Sequence, residues 1–500
     1  MNSVRQNLIA NFAGQGWAAL MGFVFVPFYL RFIGAEGYGL VGFFVLISST
    51  AALLDGGLGV TATRQTAAFL QSDRTHKTRT VTLLRTIEGL FWVVSVFAGV
   101  TVALAARLIA THWLKVEPAR IPEVTSALRL MGATLVVQFP NAFYSGCLVG
   151  LQQQVKLNAI NAIYATLRGI GAVLVLWLVA PNIQVFFVWQ CVLSLITVTT
   201  LRFAFWNAIG EQRGATRFDL EALHSVGRFT AGVGGINILS FLLTQVDKIV
   251  LSKILSLQAF GYYTLAWTLG TFAYRFTGPI FNAYYPKLTQ LVAEDAGNFA
   301  DLQQPSELVD VYLKASQVMA IVIVPFSVWL AFFGRELLWL WTRDHTAAYT
   351  ASGALAVIAL GTMLNGFMHI PYGVQLAAGW TGLAFWQNVI GVLLFAPLTY
   401  YFAIRYGLTG AAVPWLLLNT GYVVISAPLM YKVMLRSAKW KWYRWSVIYP
   451  FLQASCLIGL FYFLSIQFNG PASVTVLLFC ALFISVSAGT LSSGLMKIHR

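Results

Sequence analysis

The chain has 500 residues, of which 58% are hydrophobic and only 10% charged, and its formal net charge is +15. Too few polar residues are present to cover the surface of a soluble protein of this size, so the composition excludes a water-soluble chain. The mean hydropathy of +0.73 predicts a membrane protein instead.

Apolar stretches of about 20 residues recur along the whole sequence, and each is long enough to cross about 30 Å of hydrocarbon. They predict an all-α polytopic membrane protein with about fourteen transmembrane helices. The expected spans lie near residues 8–30, 38–60, 83–107, 124–149, 158–180, 183–206, 229–251, 259–284, 311–333, 350–374, 380–402, 408–431, 445–467 and 474–496. The first stretch is too long for a cleavable signal and leads directly into the second span.

A short sequence recurs in both halves of the chain. Residues Arg31 to Gly39 resemble residues Lys253 to Gly261, 222 positions later, and each copy joins two predicted spans as a tight external turn. Such duplication predicts two pseudo-symmetric six-helix lobes followed by an additional helix pair. The predicted boundaries are 1–206 for the N-terminal lobe, 207–228 for a cytoplasmic linker, 229–433 for the C-terminal lobe and 434–500 for the extra two-helix segment.

Basic residues are unevenly distributed between the two sets of predicted loops. Most of the 32 Lys and Arg residues fall on the side that carries both termini. By the positive-inside rule, this bias predicts a multi-pass protein with both termini in the cytoplasm. The basic and aromatic segment from Lys439 to Trp445 admits nucleic-acid stacking as an alternative, but its place before a span favours an interfacial anchor. No nucleic-acid partner is expected.

Charged residues within the spans are the first candidates for a functional site. A charge at mid-membrane costs about 2.5–3.5 kcal/mol, so each needs a partner or a water-filled cavity. The candidate substrate-binding cations are Arg85, Arg168, Lys248 and Arg275, and the candidate ion-coupling acids are Asp55, Glu88 and Asp247. This small surplus of cations favours an anionic substrate, and the planar donor fork of arginine suits phosphate or carboxylate.

Neutral polar residues also recur at helical spacing within several spans. The predicted cavity lining comprises Asn11, Gln15, Asn141, Asn161, Asn237, Thr271 and Asn282. Hydrogen bonds between helices explain such stripes equally well.

Structural alternatives also exist for several of the charged candidates. Asp55, just before two glycines, is a candidate helix cap as well as a proton carrier. Asp247 and Lys248 are candidates for a structural ion pair, and Glu88 lies within one turn of Arg85. The cysteines lack metal-ligand spacing, so no metal and no cofactor are expected, apart from a possible coupling proton or sodium ion.

The chain resembles a known family of transporters. The resemblance is carried by Asn11, Pro27, Arg31, Gly34, Glu36, Tyr38, Gly39 and the run Asp55–Leu58, and in the second lobe by Asp247–Leu251, Phe260–Tyr263 and Tyr285–Lys287. On these residues it is similar to the bacterial polysaccharide-biosynthesis flippases for lipid-linked O-units, within the multidrug/oligosaccharidyl-lipid/polysaccharide exporter superfamily. The similarity covers about the first 430 residues, and the last two spans exceed the common twelve.

The resemblance implies a function and partners. The protein would turn an undecaprenyl-diphosphate-linked oligosaccharide from the inner to the outer leaflet by alternating access, for cell-surface polysaccharide such as lipopolysaccharide or exopolysaccharide. Its implied partners are this polyprenyl-diphosphate-linked glycan, membrane lipids, and a polysaccharide polymerase with its chain-length factor.

Two other functions remain open. A multidrug antiporter of the same superfamily would need a net acidic pocket for cationic drugs, which the cation surplus does not favour. An integral-membrane polymerase or ligase would need acid and base residues in a substantial outer loop. The outer loops near 108–123 and 334–349 are short and contain only Glu117, Glu123, Glu336 and Asp344 as acids.

Overall fold

The computed structural model describes residues 2–69, 74–210, 241–242, 244–294 and 307–467. These residues form helices without a β-sheet, apart from one isolated bridge between Lys115 and Ser256, which confirms the all-α prediction. The chain divides into two compact units, Met1–Gly261 and Tyr262–Arg500. Most of the predicted linker, Asn237 and the predicted span at 474–496 lie outside the described residues.

The first unit is a bundle of long apolar helices. Its elements are α1 (Asn2–Val24), α2 (Val26–Ala52), α3 (Leu58–Phe69), α4 (Arg74–Leu108), α5 (Ile121–Gln138), α6 (Asn141–Gly150), α7 (Gln154–Leu178), α8 (Ile183–Ile209), α9 (244–254) and the start of α10 (Leu257–Gly270). Its core is rich in aromatic rings, with Phe91, Phe143 and Phe205 in contact where α4, α6 and α8 meet.

The duplicated turns contact each other inside this unit. Gly34 breaks α2 with a φ of 69°, a conformation that glycine adopts without strain. Five residues later, a side chain at Gly39 would overlap the carbonyl of Leu257, and one at Gly261 would overlap the carbonyl of Ala35. The two copies therefore pack backbone to backbone, which only glycine permits at this separation.

The second unit has its own core. Its helices are α11 (Tyr274–Glu294), α12 (Glu307–Thr342), α13 (His345–Phe367), α14 (His369–Ala377), α15 (Gly382–Gly421), α16 (Ala427–Val433), α17 (Lys439–Trp442) and α18 (Tyr449–Gln467). Tyr312 and Tyr431 are buried there and share a hydrogen bond of 2.5 Å between α12 and α16.

Within the described residues, eight helical segments are long and apolar enough to span a membrane. One of them, Gly382–Val433, has 52 residues and contains two of the predicted spans. Gly407, with a φ of 62°, breaks this segment between them. The protein is therefore a multi-pass membrane protein, as its composition predicts.

Candidate functional site

A polar cavity of about 470 Å³ lies within the first unit. Four of the predicted site residues line it, namely Asp55, Asn141, Asn161 and Arg168. A second cavity of about 600 Å³ adjoins it and shares Arg168 as a lining residue. Helices α1, α2, α5, α7 and α8 contribute to the walls, so the cavity lies inside the helix bundle.

Arg168 occupies the middle of α7. At about 1.5 Å per residue, it lies about 21 Å from Gln154 and about 15 Å from Leu178, which is mid-membrane depth for a spanning helix. Its side chain is open to the cavity and has no carboxylate partner among the described residues. The cavity wall therefore carries an unneutralised guanidinium.

Asp55 lies on the same cavity at the end of α2, where it also caps a helix. Its Oδ1 accepts a hydrogen bond of 2.8 Å from the backbone N–H of Gly59, in the first turn of α3. Gly56 and Gly57 supply the left-handed backbone of the break, with φ values of 56° and 94°. The Asp55 side chain is half-buried and lines the cavity. Asp55 therefore caps the helix while its carboxylate remains in contact with the cavity.

Three further lining residues have polar atoms with no hydrogen-bond partner in the described part of the chain. These are Ser48 Oγ, Gln138 Oε1 and Asn141 Oδ1. Buried polar atoms nearly always find a partner, so these three mark positions for water or for the hydroxyl groups of a ligand. Gln138 lies three residues before Asn141, at helical spacing in the same predicted span, whereas a lone serine in an apolar span gives no comparable signal.

Glu88 is the centre of a separate ionic network. It is 5% exposed, and its carboxylate pairs with Arg85 at 3.2 Å and with Arg202 at 3.1 Å. Tyr144 donates its hydroxyl proton to Glu88 at 2.6 Å, and Trp206 donates its indole N–H at 3.2 Å. Helices α4, α6 and α8 are thus joined at one buried carboxylate.

This network changes the context of two predicted site residues. Arg85 and Glu88 lie together in it and are not among the residues that line the polar cavity. The network also contains Arg202, which lies near the end of the predicted span at 183–206. Arg202 and Trp206 are four residues apart and therefore share one face of α8. This spacing is the sequence signal that could have identified Arg202.

Asp247 and Lys248 also form an ion pair, on α9. Lys248 Nζ lies 3.3 Å from Asp247 Oδ1 and also donates to the carbonyl of Thr244 at 2.9 Å. Asp247 is fully buried and the Lys248 side chain is 13% exposed. This is the ion pair that the sequence offered as the structural alternative.

The neutral candidates on α1 lie beside α7. Asn158 donates to Asn11 at 2.6 Å, so Asn11 joins the two helices, while Gln15 is exposed on α1.

Three candidates belong to the second unit. Arg275 is exposed in the first turn of α11, Asn282 is exposed two turns later, and Thr271 donates to the carbonyl of Trp267 at 2.7 Å. The cavity of the first unit includes none of the three.

An apolar groove of about 470 Å³ lies on the opposite side of α2 from the polar cavity. Phe43, Ile47, Phe97 and Trp113 are among its lining residues. Leu135 of α5 lines both the groove and the polar cavity. One helix thus separates a polar compartment from an apolar one.

A family model described as "Polysaccharide biosynthesis protein" matches residues 4–292, more than half of the chain. The chain belongs to this polysaccharide biosynthesis protein family. The matched range contains every residue of the polar cavity and of the Glu88 network.

Two relatives are similar to this chain over most of its length. It is 19% identical over 415 residues to a putative O-antigen transporter of Shigella flexneri, covering 83% of this chain and 94% of that protein. It is 22% identical over 415 residues to the succinoglycan biosynthesis transport protein ExoT of Rhizobium meliloti (strain 1021), covering 80% of this chain and 76% of that protein. The family predicted from the repeat and the Asp55 motif is confirmed.

Solved structures share the fold of this family member. The inward closed conformation of the lipid II flippase MurJ aligns with a TM-score of 0.65 and 13% identity, covering 99% of each chain. The MATE multidrug transporter DinF-BH aligns with a TM-score of 0.60 and 15% identity, covering 88% of this chain and 96% of that one. The chain therefore shares the fold of these two transporters.

Proposed function

We propose that this protein is a flippase that moves an undecaprenyl-diphosphate-linked oligosaccharide from the inner to the outer leaflet of the bacterial cytoplasmic membrane. The observation that carries the proposal is Arg168, an arginine at mid-membrane depth that faces a polar cavity without a carboxylate partner among the described residues. An exposed guanidinium at this depth is stabilised by an anion, and its planar donors match a diphosphate.

The polar lining of the cavity fits a glycan. Asn161, Asn141 and Gln138 offer amide donors and acceptors, and Gln138 Oε1, Asn141 Oδ1 and Ser48 Oγ have no hydrogen-bond partner among the described residues. Sugar hydroxyl groups both donate and accept hydrogen bonds, so such a wall replaces part of their hydration shell. The polyprenyl chain would remain in the bilayer, on the apolar side of α2.

The names of the relatives support this substrate class. One is a putative O-antigen transporter, another is a succinoglycan biosynthesis transport protein, and the aligned MurJ structure is named a lipid II flippase. We infer that the protein is a transporter rather than an enzyme and that it works by alternating access. We also infer that both of its termini face the cytoplasm.

Asp55 is the residue that we propose for ion coupling. It is the only acidic residue among those that line the two adjoining polar cavities, in the part of the chain that the structure describes. A proton or sodium ion bound there would change the charge of the wall that Arg168 shares. Lys248 already neutralises Asp247, and two arginines neutralise Glu88.

The test compares Arg168→Ala with Arg129→Ala in cells that lack the chromosomal copy. Arg129 is an exposed arginine within the fourth predicted span and is not among the cavity-lining residues. We expect Arg168→Ala to abolish surface polymer and to trap lipid-linked repeat units on the inner leaflet, with normal membrane insertion. Wild-type polymer levels in Arg168→Ala would overturn the site. Efflux of organic cations by reconstituted protein, without lipid movement, would favour the antiporter.

A further inference from the structure

The Glu88 network presents two arginines to one side of the bundle. The Arg85 side chain is 42% exposed and the Arg202 side chain 51% exposed, whereas Glu88 beneath them is buried. Arg85 uses Nη1 and Arg202 uses Nε for their contacts with the carboxylate. A guanidinium has five N–H donors, so most of the donors on both side chains remain available.

The network holds these two guanidiniums in place. The carboxylate of Glu88 also accepts hydrogen bonds from Tyr144 and Trp206, and the guanidinium carbon of Arg85 lies 3.4 Å from the centre of the Trp206 ring. The three charged groups sum to a net charge of +1, since two cations share one anion. Donors that are fixed before binding lose less conformational entropy when a ligand arrives.

The position along α8 places this pair near a membrane surface. Arg202 lies about 28 Å along the helix from Ile183, close to the full thickness of about 30 Å of hydrocarbon. Lys156 adds a third cation nearby, because its Nζ contacts the carbonyl of Ala204 at 3.5 Å. The distribution of basic residues predicts that this surface is the cytoplasmic one.

We propose that Arg85 and Arg202 form a binding site for the phosphate group of a lipid at this membrane surface, separate from the Arg168 cavity. Two guanidiniums beside each other can contact the oxygens of one phosphate through several charge-assisted hydrogen bonds. The phosphate could belong to the substrate's diphosphate before it enters the cavity, a role that rests on the proposed function, or to an anionic phospholipid, a role that does not.

The binding test uses full-length protein purified in a neutral detergent, with Arg168→Ala as the background so that the cavity does not contribute. Undecaprenyl diphosphate and phosphatidylglycerol are titrated separately, and binding is followed by native mass spectrometry. We expect Arg202→Ala to weaken binding by about tenfold or more, and Arg202→Lys to recover part of the loss. The matched control is Arg107→Ala, because Arg107 is an exposed arginine in the last turn of α4.

The two probes separate the sources of the phosphate. If Arg202→Ala weakens the binding of undecaprenyl diphosphate alone, the site belongs to the substrate. If it weakens the binding of both undecaprenyl diphosphate and phosphatidylglycerol, the site accepts phosphate-bearing lipids in general. Equal affinities in Arg202→Ala and Arg107→Ala would overturn the site. That outcome leaves the proposed function intact, because surface polymer in Arg168→Ala cells reports on the cavity alone.

Folding of the variant is supported by the partners that Glu88 keeps. With Arg202 trimmed, the carboxylate still contacts Arg85, Tyr144 and Trp206. A second measurement needs no variant: phenylglyoxal modification of Arg202 in the wild-type protein, with and without inorganic pyrophosphate, read by peptide mass spectrometry. Protection of Arg202 supports the site, and equal modification of Arg202 in both samples contradicts it.

Discussion

Arg168 and Asp55 line the same cavity in the first unit but form no ion pair. Opposite charges in one low-dielectric space attract each other strongly, so a separation between them has to be maintained by the helices that carry them. Asp55 is fixed by its bond to Gly59, and Arg168 is fixed by its place in the middle of α7. The arrangement leaves the arginine available to an anion and the carboxylate available to a cation.

The cap and the charge of Asp55 can be separated by mutation. Asp55→Asn keeps an oxygen that accepts the Gly59 N–H, whereas Asp55→Ala removes both the charge and the cap, at a cost of about 1 kcal/mol. We expect both variants to lose the dependence of transport on a proton or sodium gradient, and only Asp55→Ala to unfold at a lower temperature. Gradient-driven uptake into vesicles and thermal unfolding in detergent measure the two effects.

Wild-type gradient dependence in Asp55→Asn would remove Asp55 from ion coupling and leave it as a cap alone. Ser48→Ala is a suitable control, because it alters the same cavity without changing its charge.

Truncation of Glu88 is expected to reduce stability. Glu88→Ala leaves the hydroxyl of Tyr144 and the indole N–H of Trp206 without their acceptor, and the two arginines without their shared carboxylate. Because the arginines are about half exposed, we expect a loss of about 2 kcal/mol, mostly from the buried hydroxyl of Tyr144 and the partly buried indole N–H of Trp206. Glu88→Gln retains one acceptor oxygen and should lose less.

Thermal unfolding of the purified variants measures this difference. The control is Glu123→Ala, since the Glu123 side chain is 34% exposed and pairs only at the surface, with Arg120. Equal unfolding temperatures for Glu88→Ala and Glu123→Ala would show that the network contributes little to stability.

The contact between the duplicated turns predicts that Gly39 does not tolerate a side chain. In Gly39→Ala the added methyl group would overlap the carbonyl of Leu257, and we expect a cost of about 1–3 kcal/mol. Gly16→Ala on α1 is the control, because nothing lies within 4 Å of its Cβ position. The yield of monodisperse protein and its unfolding temperature provide the readout. Equal values for the two variants would mean that the turns can separate without cost.

The sequence was sufficient to predict the helical fold and the family, and it singled out Arg168 and Asp55, which line the cavity. Arg168 and Asp55 could be identified because a charge within a long apolar stretch is costly and needs an explanation. The break at Gly34 follows from a glycine-rich turn between two apolar segments. These features depend on local sequence alone.

The remaining parts of the site depend on contacts between residues far apart in the chain. Tyr144 and Trp206 reach Glu88 across 56 and 118 residues, and no local pattern reports that they share one carboxylate. Periodicity likewise places Asn11 and Asn161 on polar faces of their helices without showing what those faces contact. Only the packing of α1 against α7 shows that Asn11 bonds to Asn158, while Asn161 lines the cavity.

The most direct test of the proposed function is movement of an undecaprenyl-diphosphate-linked oligosaccharide between the leaflets of vesicles that contain the purified protein. Lipid-linked sugar that has reached the outer leaflet is detected with an added lectin or glycosidase. We predict that wild-type protein and Arg129→Ala translocate the lipid, that Arg168→Lys does so more slowly, and that Arg168→Ala falls to the rate of protein-free vesicles. Translocation by Arg168→Ala at the wild-type rate would contradict the role of the cavity, and no translocation by wild-type protein under any ion gradient would contradict the flippase function itself.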